Sequence, residues 1–491
     1  MARRVCVIGL DSAPPELVFD RFLSDLPNLR SLMERGVWGP LESTVPPITV
    51  PAWMSMFTGR DPGALGIYGF RNRRDHSYDG LAFASSRMVH EQAVWDVLGA
   101  AGMRSILLGI PLTYPPRPIQ GLMVCDFLAP STSVQYTYPA SLADDIRRVV
   151  GEYVIDVRDF RTTDKDRLLA QVHEMTDVRF ALARHLAVSE PWDLFAMVEM
   201  GPDRLHHGFW RYFDAGHPLH EPGNPYQHAL RDYYRRLDEQ VGSLLAVLPD
   251  DTTVMVVSDH GARRMVGGIC VNDWLIREGY LSLKRAPDRV TKLAPDMVDW
   301  PRTRAWGDGG YYGRIFLNVK GREQQGAVDP DAYEALRDEL SSRLRALPDE
   351  RGRPIGTRTF RPQEVYAECR GIPPDLIVYF GDLDWRSVGS VGHDAVWTHE
   401  NDTGPDDANH SPLGIAIVAR PGQTPGSTPL ASRRRDGWSI CRVAPAILQE
   451  LGVEPPTSMG RDGLDDAEPS SVYSEDEEAE IARRLEDLGY L

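Results

Sequence analysis

Short runs of Val, Ile and Leu, continuous rather than alternating, recur along the chain between longer segments with helical spacing. Continuous apolar runs mark strands buried on both faces, and their alternation with helices is the pattern of a parallel sheet covered by helices on both faces. Strands are expected at 5–10, 105–110, 122–127, 194–199, 253–258, 376–380 and 414–419. Helices are expected at 15–34, 51–57, 91–101, 140–150, 166–187, 226–247, 330–346 and 442–451. The rhythm breaks between 272 and 369, where Gly- and Pro-rich sequence such as AWGDGGYYGRIFLN intervenes. The fold class is therefore α/β, with residues 1–271 and 370–491 as the core and 272–369 as a smaller α+β insertion. An acidic stretch at 474–480 leads into an amphipathic segment at 481–491, read as a solvated run and a surface helix.

The 491 residues, 42% hydrophobic and 25% charged, suffice for one large core carrying an insertion, and exclude a small stapled module. A formal charge of −17 argues against general affinity for nucleic acid or anionic membrane, since a polyanion is repelled at long range. No run approaches the roughly 18 apolar residues of a membrane span. Cys6, Cys125, Cys270, Cys369 and Cys441 are odd in number and widely spaced, and read as buried thiols in a reducing compartment. The apolar run after the N-terminal arginines stops at Asp11, too short for a secretory h-region, so a cytoplasmic location is expected.

Several Asp and His residues stand where an apolar strand has just ended, and in open α/β sheets ligands bind at the carboxyl ends of strands. Asp11 follows VCVIGL, Asp259 and His260 follow TTVMVVS, and Asp203 with His207 follows DLFAMVEMGP. If MGPDRLHHG opens a helical turn, Asp203 and His207, four apart, project from one side. Each alone could be a turn former or a structural histidine, but together they form a ligand set. Carboxylates and imidazoles without clustered Cys suit Zn²⁺, or Mn²⁺, and their number suits two ions. Two ions about 3.5–4 Å apart are the usual clamp for displacement at phosphorus. A nucleophile is offered by Thr49 in STVPPITVPAW: with Pro51 as first helical residue, it stands just ahead of a helix N-terminus. Capping that helix is the competing role for its hydroxyl.

GLDSAPPELV, PPITVPAWMSMFTGRDPGALGIYGF, PDRLHHG, SDHGA with the later NDWLIREGYL, and NHSPLG occur in that order from Gly9 to Gly414. This series closely resembles the type I phosphodiesterase/nucleotide pyrophosphatase family of the alkaline phosphatase superfamily. The resemblance implies two zinc ions, one held by Asp203, His207 and His410, the other by Asp11, Thr49, Asp259 and His260. It also implies Thr49 as nucleophile, through a phospho-threonine that water hydrolyses, and a cap formed by the insertion. The substrate would be a small phosphate ester, possibly a nucleotide, cleaved at a phosphodiester or phosphoanhydride bond. The family's phosphoryl-holding Asn falls on Phe70 here, with Asn72 nearby but out of register. His206, His393 and His399 are alternative ligands or substrate contacts. A sulfatase is disfavoured because no Cys is followed by x-Pro-x-Arg. Phosphonoacetate hydrolase-like cleavage, phosphomonoesterase or phosphomutase activity, and a silent phospho-ligand binding module are the remaining alternatives.

Overall fold

The computed structural model describes residues 4–401, 403–424, 429–459 and 464. A nine-stranded sheet runs in the order Trp438–Ser439, Val37–Glu42, Leu413–Ala419, Thr252–Val257, Arg4–Leu10, Leu194–Glu199, Ser105–Ile110, Gly121–Cys125, Thr137–Tyr138. The five strands from Thr252–Val257 to Gly121–Cys125 are mutually parallel; Leu413–Ala419 and Thr137–Tyr138 pair antiparallel at either side. Residues 5–8 and 195–198 are fully buried, which is why their sequences show no polar alternation. Helices pack in two separate groups. Thr49–Thr58, Val94–Ala100 and Val443–Glu450 form one; Pro27–Arg35, Lys165–Ser189, Gly201–Phe213 and Ala229–Leu245 form the other.

The single helix expected at 15–34 is instead a π turn at Glu16–Arg21, a 3-10 turn at Leu23–Asp25 and a helix at Pro27–Arg35. Pro27 lacks an N–H and forces Leu26 out of the helical region (φ −117°, ψ 65°), so the chain restarts there with Pro at the helix start. Val37–Glu42 escaped the sequence pattern because Gly39 and Pro40 dilute its apolar run. The strand expected at 376–380 does exist, as Leu376–Tyr379, but it belongs to a different sheet. It pairs antiparallel with Gly313–Leu317 and Arg358–Phe360, and Ala305–Asp308 completes the four strands. Together with helices Val271–Arg277 and Tyr333–Arg345 they surround a second hydrophobic core, which draws on residues from Ile269 to Val396.

Cys6, Cys125 and Cys270 are buried, whereas Cys369 and Cys441 are partly exposed, a correction to the reading of all five as buried; none is in a disulfide. Among the described residues no helix is long and apolar enough to cross a membrane. The acidic stretch and amphipathic segment at 474–491 lie outside the described residues.

Candidate functional site

Register brings the candidate residues level. Gly9 stands opposite both Val198 and Val257, so the strands Arg4–Leu10, Leu194–Glu199 and Thr252–Val257 end side by side. Asp11 follows the first, with its N–H bonded to Glu199 O at 3.0 Å. Helix Gly201–Phe213 follows the second, with Pro202 in its first turn, and carries Asp203 and His207 on one side, as the i, i+4 spacing requires. Asp259 and His260 follow the third. His410 arrives from 150 residues away through a two-stranded antiparallel ribbon, Gly261–Arg264 with Ala408–Ser411, in which Ala262 faces His410. A Cβ at Gly261 would lie 2.1 Å from Leu413 O, so only glycine lets the ribbon close.

Helix Thr49–Thr58 begins two residues earlier than expected, at Thr49 itself, so Pro51 is the third helical residue and not the first. Its N-cap, Ile48, makes no side-chain cap bond, and the Thr49 hydroxyl lies 3.2 Å from His260 Nε2. The hydroxyl points at the histidine and does not cap the helix.

The seven side chains converge. Asp203 Oδ1 lies 3.3 Å from His207 Nε2 and 3.8 Å from His410 Nε2. His260 Nε2 lies 3.2 Å from Asp259 Oδ2 and 3.8 Å from Asp11 Oδ1. The His260 and His410 rings stack with centroids 3.8 Å apart. Ligand atoms of Asp203, His207 and His410 fall within 4.8 Å of one another, as do those of Asp11, Asp203 and His260, so Asp203 belongs to both clusters. Even Thr49 and Asp203, the most exposed of the seven, are only 3% exposed.

Each imidazole has one nitrogen committed to an oxygen outside the cluster. Nδ1 of His260 lies 2.9 Å from Gly261 O, Nδ1 of His410 2.8 Å from Pro47 O, and Nδ1 of His207 2.7 Å from Asp406 Oδ1. Those oxygens can only accept, so Nδ1 carries a proton in all three; Nε2 of His260 and His410 turns a lone pair inward, and Nε2 of His207 faces Asp203. Facing those lone pairs are Asp11 Oδ1, Asp203 Oδ1 and Asp259 Oδ2, none with a hydrogen-bond donor among the described residues. Lone pairs and carboxylate oxygens converging in a buried space repel one another unless positive charge sits between them, so this donor set fits divalent cations.

The protonation tendencies say the same. Burial and the facing Asp203 carboxylate push Asp11 well above the ordinary range, and burial with the Asp11 charge does so for Asp259. Burial would also raise Asp203, but His207 and Arg204 outweigh it and hold Asp203 low. Burial would lower His207, yet Asp406, Tyr311 and Asp203 outweigh it and keep His207 well above its usual value. Burial leaves His260 at about 4 and His410 lower than usual, which keeps both neutral. The pocket favours positive charge beside Asp203.

Several contributors to the site were not picked out from sequence. The Trp53 indole N–H donates to Asp11 Oδ2 at 2.6 Å, and its ring is fully buried beneath Gly9, where a Cβ would come within 2.5 Å of it. Arg204 donates to Asp203 Oδ2 at 2.6 Å and to Asp156, leaving Asp203 Oδ1 to face the histidines. Tyr311, at the tip of the hairpin between Ala305–Asp308 and Gly313–Leu317, stacks on His207 and His410 at 4.7 and 4.3 Å. No one-dimensional signal distinguishes these from ordinary core residues. Trp53→Phe should keep the ring packing but free Asp11 Oδ2. Turnover is expected to fall by about 10–100-fold with little change in melting temperature, as steady-state kinetics and thermal unfolding would check.

Other sequence candidates lie elsewhere. His206 shares a hydrogen bond with the Tyr234 hydroxyl at 3.1 Å, and burial lowers it to about 3. His399 Nδ1 contacts Val266 O. His393 clusters with Cys270 and Asp273, but its Nε2 is taken by Ser390 Oγ, and Asp273 is taken by the Gly392 and His393 N–H groups. Asn72 is engaged locally, its Oδ1 accepting the Tyr68 N–H and its Nδ2 donating to Gly69 O. Phe70 packs edge-on against Phe127.

Comparison with known proteins agrees with this fold. Human ectonucleotide pyrophosphatase/phosphodiesterase 5 superposes with a TM-score of 0.52 at 13% identity, covering 94% of this chain and 97% of that one. Phosphonoacetate hydrolase from Sinorhizobium meliloti 1021, in complex with phosphonoformate, gives 0.58 at 15% identity over 92% and 96%. An inactive form of murine ectonucleotide pyrophosphatase/phosphodiesterase 5, in complex with AMP, gives 0.51 at 12% identity over 92% and 96%. These likenesses establish an alkaline-phosphatase-like fold. No curated protein matches the chain in sequence. The family model for type I phosphodiesterase/nucleotide pyrophosphatase matches residues 5–406, and the chain therefore belongs to the type I phosphodiesterase/nucleotide pyrophosphatase family.

Proposed function

We propose that the protein hydrolyses small phosphodiesters or phosphoanhydrides at a site holding two divalent cations, with Thr49 as the nucleophile. The observation that carries this reading is the convergence of three imidazole Nε2 atoms and three donor-less carboxylate oxygens beside a helix-start threonine hydroxyl. Asp203, His207 and His410 would hold one cation; Asp11, Thr49, Asp259 and His260 would hold the other. Cations bound there would neutralise the phosphoryl oxygens and favour the Thr49 alkoxide. The N-terminal end of helix Thr49–Thr58 adds positive potential at the same place. Thr49 Oγ displaces the leaving alcohol or phosphate from phosphorus, forming a phospho-threonine. Water then cleaves that ester, releasing the phosphorylated product and regenerating the hydroxyl. Zn²⁺ is the first choice and Mn²⁺ the second, because the donors are nitrogen and oxygen in a small buried pocket.

The segment 272–369 would act as the cap, reaching the site through Tyr311. A nucleotide is a fitting substrate, given that one neighbour binds AMP. The cysteines, none of them in a disulfide, support a reducing, cytoplasmic setting. Turnover of bis-(p-nitrophenyl) phosphate should exceed that of p-nitrophenyl phosphate, with p-nitrophenyl sulfate slowest. A preference for the sulfate ester would overturn the reading. A screen of nucleotides, dinucleotides and phospholipid headgroups would then locate the natural substrate.

A further inference from the structure

We propose that Asp406 is a positioning residue for His207, held in place by Tyr311 and Arg161, so that the insertion's hairpin tip sets the affinity of one cation site. This inference rests on the reading of Asp203, His207 and His410 as a cation-holding set. Asp406, its side chain fully buried, lies just before the ribbon strand that carries His410. One of its oxygens accepts from His207 Nδ1 at 2.7 Å. The other accepts from the Tyr311 hydroxyl at 3.2 Å and from Arg161 at 3.2 Å. Arg161 also donates to the Tyr311 hydroxyl at 2.9 Å. The Tyr311 ring covers His207 and His410, and its backbone carbonyl accepts from Asn409 Nδ2 at 3.0 Å. Asn409 Oδ1 in turn accepts the His410 N–H at 2.8 Å.

The consequence is a closed chain of contacts. Three stretches distant in sequence, at Arg161, Tyr311 and Asp406, meet behind a single imidazole. A carboxylate on Nδ1–H fixes the tautomer, stops ring rotation and makes Nε2 a stronger donor. His260 and His410 have only backbone carbonyls in the corresponding place. His207 is thus the one imidazole of the three whose basicity is raised by a charged partner, and that partner is held partly by the insertion. Removing it should act on the site formed with Asp203 and leave the Asp259 site alone.

The test is cation affinity, measured by chelator competition with Zn²⁺ and by the absorption of Co²⁺ substituted into the purified chain. Asp406→Ala is expected to weaken one of two bound cations by about 10–100-fold and leave the other unchanged. Asp406→Asn keeps an oxygen for Nδ1–H and should recover part of the loss. Tyr311→Phe keeps the ring over the histidines and should lose several-fold. Thermal unfolding of the Asn variant guards against a folding defect, because a general loss of structure would weaken both cations together and overturn the proposal. Wild-type affinity at both sites in Asp406→Ala would overturn it too, while leaving the two-cation reading intact. Failure of the wild-type chain to bind any cation would sink both.

Discussion

Replacing Thr49 by alanine is expected to lower turnover by a factor on the order of 10⁴ or more, because in the proposed reaction it deletes a covalent step and not one uniform binding contact. The hydroxyl lies 3.2 Å from His260 Nε2 and makes no cap bond, so its loss should cost the helix little. The melting temperature should therefore stay close to wild type, and cations and substrate should still bind, with the cation that Thr49 helps to hold bound more weakly. Thr49→Ser keeps the hydroxyl but frees its rotamer, since the methyl that restricts χ1 is gone, and should retain part of the activity. Quenching a turnover reaction in acid and analysing peptides by mass should find phosphate on Thr49. Near-wild-type turnover in Thr49→Ala would mean that water attacks phosphorus directly.

Exhaustive chelation should abolish turnover, and restoring Zn²⁺ or Mn²⁺ should recover it. Asp259→Asn and His410→Ala should each reduce the cation content from two per chain toward one, by elemental analysis, with turnover reduced by orders of magnitude. The physical ground is the crowding of Asp11, Asp203 and Asp259 in a space closed to water. Without a cation, Asp11, Asp259 and the inward lone pairs of His260 and His410 crowd one another with no positive charge between them, a penalty on the order of several kcal/mol per buried ion. Chelation should accordingly lower the melting temperature as well as activity. Asp259→Asn, which removes one of the repelling charges, should melt no lower than the chelated wild type. Full activity after chelation would exclude a cation role outright.

Much of the site was legible because its residues occupy positions that sequence can mark. Asp11, Asp259 and the Asp203–His207 pair each follow an apolar run directly, and the end of a buried strand is a local property. Thr49 was found from the prolines around it, though the helix start was misplaced by two residues. Strand Leu376–Tyr379 shows the limit of such reading: four buried apolar residues look alike in either sheet, and only pairing partners distinguish them. The break at Pro27 is the converse, a local rule outweighed in the expectation by an apolar period spanning it.

The sequence by itself determined the α/β class, the strand ends that carry the candidate ligands and the series of motifs that marks the family, because apolar continuity, i, i+4 spacing and turn chemistry act over a few residues. Only the tertiary structure decided which oxygens lack donors, that the Thr49 hydroxyl turns to His260, that Trp53 serves Asp11, and that Arg161, Tyr311 and Asp406 meet behind His207. Those facts depend on contacts between residues from 42 to 245 positions apart, and no local pattern encodes a hydrogen bond closed over that distance.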